Sequence, residues 1–94
     1  MKQSEIIDKV RLDKYLWSIR IFKTRSLASE ACEKGKVKFN GESLKASRNV
    51  KLGDVYDIKT SARAWVVEVT KLLDHRVAYS EAILHYIDLT PSEE

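Results

Sequence analysis

Cysteine, proline, histidine and glycine are scarce in this 94-residue sequence, which has 1, 1, 2 and 3 of them. A lone Cys32 cannot close an internal disulfide, which suits a reducing compartment, so a cytoplasmic location is expected. His75 and His85 stand apart without metal-ligand spacing, so no metal site is expected. There is no glycine-rich phosphate loop and no Ser/His/Asp arrangement, so neither a cofactor nor a catalytic residue is expected. No apolar run approaches the ~20 residues of a membrane span, and the first residues, MKQSEIIDKV, lack the apolar core of a signal peptide. Repeats and low-complexity tracts are missing too. The length suits one domain with one modest core, too small for separate substrate and cofactor lobes, and a monomer is expected.

What the sequence has is polarised charge. Residues 11–51 hold eleven basic and four acidic side chains, a net of +7, whereas residues 52–94 hold four basic and eight acidic, a net of −4. The overall +3 conceals this division. Cations gathered on one segment of a small domain suit a polyanion, with nucleic acid the first candidate.

Local patterning predicts an α+β domain, two packed N-terminal helices followed by a small, largely antiparallel sheet and a C-terminal helix. Leu12, Tyr15, Leu16 and Ile19 recur at helical spacing, giving a first helix over about 11–20, with Asp13 as a favourable acid in its first turn. A second helix is expected over about 25–34, capped by Thr24 and stopped by Gly35. Lys36-Val37-Lys38-Phe39 then alternates with period two, and Asn40-Gly41 is a strong hairpin turn, with a return strand around 43–45. Strands are expected at 55–59 and about 64–72. Ser80 is expected to cap a helix from 81 to about 87, with Tyr79 stapled to Leu84, ended by Thr90-Pro91. The domain is placed at 11–90, between an N-terminal extension, 1–10, and an acidic end, 91–94.

Arg25 carries the most functional weight. A cation in the first turn of a helix is disfavoured by the dipole by roughly 0.3–1 kcal/mol. A bound phosphate reverses that penalty, because the first-turn N–H groups and the guanidinium fork both address it. Lys23, Thr24 and Ser26 surround it. Arg11 and Lys14 lie on one side of the first helix, with Arg20 near its end; Lys36 and Lys38 share one face of the hairpin strand; Lys45, Arg48 and Lys51 follow on the return path. Trp17 lies nearly opposite the apolar stripe of the first helix. It is either exposed to stack on a base or support an arginine, or packed under another segment. Trp65 and Cys32 read as core residues.

The ordered set RLDKYLW…R…KTRSLA…GKVKFNG…K.S..VK.GD resembles the S4 RNA-binding domain, and with Ser80-Glu81-Ala82 and Tyr86 it is similar to the small heat-shock ribosome-associated S4 proteins and their ribosome quality-control relatives. The resemblance covers about residues 10–90. It implies a helix pair and hairpin that clamp structured RNA, with Arg11, Lys14, Trp17, Arg20, Lys23, Thr24, Arg25, Ser26, Lys36, Lys38, Lys45, Arg48 and Lys51 as RNA-binding residues. The implied partners are rRNA and tRNA on a free large ribosomal subunit after stalling. Some relatives carry a Lys/Arg-rich C-terminal tail, whereas this sequence ends on Ser92-Glu93-Glu94, so no RNA affinity from such a tail is expected.

Arg11-Leu12-Asp13 also resembles the RLD of pseudouridine synthases. Val10 stands where those enzymes usually have glycine, and their catalytic domain is far larger, so Asp13 reads as a helix-start residue. The expected function is non-enzymatic RNA binding in rescue or recycling of stalled nascent-chain complexes. The alternatives are an accessory S4 module of an RNA-modifying or tRNA-charging system, and a DNA-binding regulator built on the helix pair.

Overall fold

Residues 9–91 are described in a computed structural model of the chain. Residues 1–8 of the expected N-terminal extension and residues 92–94 of the acidic end lie outside the described residues.

The apolar stripe read from the sequence forms helix α1, Leu12–Ser18, which buries Leu12, Tyr15 and Leu16 completely. The chain then turns sharply. Arg20 takes φ +69°, with its N–H on the Trp17 carbonyl and the Ile21 N–H on the Leu16 carbonyl. This is a Schellman stop in which an arginine occupies the left-handed position usually given to glycine. Helix α2, Arg25–Glu33, begins as expected, since the Thr24 hydroxyl accepts the Leu27 N–H at 3.0 Å. It ends in the same motif, with Gly35 at φ +75°. Ala28, Ala31 and Cys32 face α1 across a close contact.

Five antiparallel strands follow: β1, Val37–Phe39; β2, Glu42–Ser43; β3, Val55–Lys59; β4, Ala64–Val69; and β5, Tyr86–Asp88. Their order across the sheet is β2-β1-β3-β4-β5. Asn40 and Gly41 both take positive φ, the two-residue turn favoured in hairpins. So tight a turn lets the return strand start at Glu42, earlier than the expected 43–45. Val37, Tyr56, Ile58, Val67 and Val69 point into the core shared with the helices. Lys38 pairs across to Asp57 on the opposite face. Val10, just ahead of α1, is buried, and its carbonyl accepts the Val50 N–H.

Four expectations fail in the C-terminal half. The strand at 64–72 ends at Val69, because the Thr70 and Lys71 N–H groups both turn to the His85 carbonyl. The helix expected over 81–87 is a single turn, α3, Tyr79–Ala82, and residues 86–88 are strand β5 instead. Val67, Glu68 and Val69 pair with this strand, and the unpaired edge of β4 outweighs a short helix that is marginal alone. Ser80 is not the cap; Ala78 holds that position without a side-chain bond. Tyr79 and Leu84 are both exposed, so the expected staple is not formed.

Candidate nucleic-acid interface

Asp13 organises the site. Its side chain is only 5% exposed, yet it faces two guanidinium groups whose side chains are about half exposed. Arg11 makes a two-toothed contact, Nε to Oδ1 at 3.1 Å and Nη2 to Oδ2 at 3.0 Å. Arg25 approaches Oδ1 at 3.5 Å. Burial pushes the Asp13 carboxyl up, but the Arg11 hydrogen bonds and the charges of Arg11 and Arg25 outweigh it, leaving the group below its ordinary value. One buried anion thus holds one arginine from the start of each helix, leaving their other N–H groups to meet a ligand. From the sequence Asp13 reads as a helix-start acid only. Nothing in the sequence around Asp13 points to Arg25, twelve residues away.

The N-terminus of α1 is also fastened to the chain after the hairpin. The Leu12 N–H donates to the Arg48 carbonyl at 2.8 Å and the Asp13 N–H to the Ala46 carbonyl at 3.2 Å. Between that segment and α2 runs a groove of about 480 Å³, lined by Arg11, Lys45, the hydroxyls of Ser29, Ser43 and Ser47, and one acid, Glu33. Cations beside hydroxyl donors suit phosphate oxygens. Lys38 and Lys51 are exposed outside the groove, Lys14 is half-buried on α1, and Lys23 and Lys36 line a second groove on the opposite flank of α2.

Four predicted residues have structural duties. Thr24 spends its acceptor on the cap. Arg48 lies 4.7 Å from the Phe39 ring centroid and bonds Asp54, which also accepts the Tyr56 hydroxyl at 2.6 Å. Arg20 donates to the Val77 carbonyl at 2.8 Å. Trp17 is half-buried, with the Arg76 guanidinium 5.9 Å from its ring centroid. Arg76 escaped the sequence reading. Its Nη1 bonds the carbonyls of Trp17, Phe22 and Lys23 at 3.0–3.2 Å and so holds the α1–α2 connection in place. Burial, then the nearby Arg20 charge, lowers its pKa from the ordinary arginine value. The contact spans more than 50 residues, which no local pattern can reveal. Trp65 is partly buried, as expected, under Arg63 at 3.8 Å. Cys32 is buried, and burial pushes its thiol up to about 11, which leaves it unreactive.

The chain is similar to known proteins. The S4 domain model matches residues 10–55, the helix pair and hairpin just described. Over all 94 residues the chain is 38% identical to heat shock protein 15 of Escherichia coli K12, covering 70% of that protein. Over 65 residues, 69% of this chain and 76% of the other, it is 38% identical to the RQC P-site tRNA stabilizing factor of Bacillus subtilis 168. A solved structure of Vibrio cholerae heat shock protein 15, described as trimeric, superposes with a TM-score of 0.83 at 36% identity, covering 88% of this chain and 84% of that one. That description points away from the expected monomer. The chain belongs to the S4-domain family, among the relatives of heat shock protein 15.

Proposed function

We propose that this chain binds structured RNA on the large ribosomal subunit, rRNA together with tRNA, and acts there in rescue or recycling of stalled nascent-chain complexes. The observation that carries this reading is the Arg11–Asp13–Arg25 cluster at the meeting point of both helices, flanked by Lys45 and the serine hydroxyls. A duplex backbone offers regularly spaced phosphates, and rigidly held arginines read that spacing without reading bases. The name of the Bacillus subtilis relative, which refers to a P-site tRNA, supports the tRNA part of the reading. The chain works by binding, as one RNA-binding unit over residues 11–90, in the cytoplasm and without a reaction step. The trimeric relative supports self-association of this chain, which sedimentation equilibrium measures.

Gradient sedimentation of lysate tests the reading. Co-migration with free large subunits supports it; co-migration with small subunits alone overturns it.

A further inference from the structure

The second groove, about 570 Å³, lies between α2 and the β3–β4 turn. Its volume falls in the range of small-ligand sites, ~300–1,000 Å³. Leu27 and Ala62, with the edge of the largely buried Phe22, supply apolar surface, and Leu27 is 45% exposed although the other apolar residues of its helix, Ala28, Ala31 and Cys32, are buried. Lys23, Lys36 and Lys59 stand around this surface, and none forms an ion pair with a described residue. The one acid in the groove, Glu30, is taken by Lys34 at 2.8 Å. The far wall is fixed in advance. The Thr60 hydroxyl accepts the Ala62 and Arg63 N–H groups at 3.2 and 3.1 Å, and the Thr60 N–H donates to the Arg63 carbonyl at 2.9 Å. Lys36 and Lys59 are tied together at the strand ends, with the Lys59 N–H on the Lys36 carbonyl at 2.9 Å.

An apolar floor ringed by uncompensated cations matches a planar, weakly polar group carrying anions on both sides. A helical duplex cannot supply this, because its bases are stacked inside. We propose that this groove takes one unstacked nucleotide of single-stranded RNA, its base against Leu27, Phe22 and Ala62 and its flanking phosphates on Lys23, Lys36 and Lys59. The inference rests on the RNA-binding reading above but uses the opposite flank of α2. The Asp13 cluster then holds helical RNA by shape while this groove captures an adjacent unpaired nucleotide.

The experiment titrates the ¹⁵N-labelled chain with a short oligouridylate and, separately, with an RNA hairpin. The same titrations are run on Lys59→Glu, Leu27→Gln, Ala62→Glu and Arg25→Ala, each checked for folding by thermal unfolding. Expected are amide shifts at Leu27, Lys59 and Ala62 with oligouridylate. Affinity for it should fall about tenfold in each of the three groove variants and stay within about twofold in Arg25→Ala, the reverse holding for the hairpin. All three altered side chains are partly or fully exposed, so one unstable variant leaves the others to decide. Oligouridylate shifts confined to Arg11 and Lys45, or parental affinity in the folded groove variants, overturn the nucleotide site while leaving the hairpin reading intact. Displacement of oligouridylate by an equal charge of polyglutamate also overturns it, since the groove is then a general anion surface. Loss of binding to both RNAs in the parent overturns both readings.

Discussion

At Asp13 burial and charge act in opposite directions, and charge wins. The carboxyl's folded pKa lies below its unfolded value, so its contribution to stability is complete above the unfolded value, near ~3.9, and is lost as pH falls through the folded one. Melting temperature against pH should therefore drop more steeply at the acid end for the parent than for Asp13→Asn; parallel curves contradict this. At neutral pH Asp13→Asn should cost about 1.5–3 kcal/mol, the scale of hydrogen bonds to a charged group. The same variant separates placement from mere charge. It makes the protein more positive, so electrostatics alone tightens RNA binding. If Asp13 positions Arg11 and Arg25, hairpin-RNA affinity should instead fall several-fold, and tighter binding in a filter assay refutes that role. Arg25→Ala should leave stability almost unchanged, because Arg11 keeps both of its bonds to the carboxylate and removal of a cation from a helix start is mildly favourable. Arg25→Lys should recover only part of the lost binding, since lysine keeps the charge without the fork. Exposed Lys71 supplies the neutral control for these variants, and Lys71→Ala should leave both stability and RNA binding unchanged.

At the scale of elements, the hairpin separates fold from binding. Val37 is fully buried between exposed Lys36 and Lys38. Val37→Asp should destabilise by ~3 kcal/mol or more by burying an unpaired charge, while Lys36→Glu and Lys38→Glu should leave the melting temperature nearly unchanged and weaken RNA binding. If calorimetry shows the reverse, the register is off by one. This register was legible from sequence, as were α2 and both of its ends, because Thr24, Gly35 and Asn40-Gly41 act through neighbours only a few residues away. The C-terminal segment was not legible. Ser80, Glu81 and Leu84 carry ordinary helix signals, but what decides residues 86–88 is the open edge of β4, a partner distant in sequence. The site was legible to a similar degree. Its basic residues were visible as charge, whereas the anchoring of Arg11 and Arg25 by Asp13, the diversion of Arg20 and Arg48 into structural bonds, and the grip of Arg76 on the α1–α2 connection exist only after folding. Arg76→Ala should loosen that connection, visible as faster hydrogen exchange at residues 22–25; unchanged exchange rules the grip out.

For the molecule as a whole, the +7 segment and the −4 segment form different parts of one fold. The helices and hairpin collect the cations, whereas the stretch running from α3 through the following turn into β5 exposes the apolar side chains Tyr79, Ile83, Leu84 and Ile87. Binding driven by the basic part releases counterions, so the logarithm of affinity should fall linearly with the logarithm of salt, by roughly 0.7–0.9 for each phosphate contact. The most direct test of the central claim, that the Asp13-held arginines grip RNA phosphates, is the salt dependence of large-subunit binding by the parent and by Arg25→Ala, with unfolding measured on the same samples. The account predicts a steep parental slope, and for a fully folded Arg25→Ala an affinity lower by ~1.5–3 kcal/mol with a slope shallower by about one contact. Identical affinity and slope in the two proteins, or weaker binding only because the variant unfolds, would contradict it.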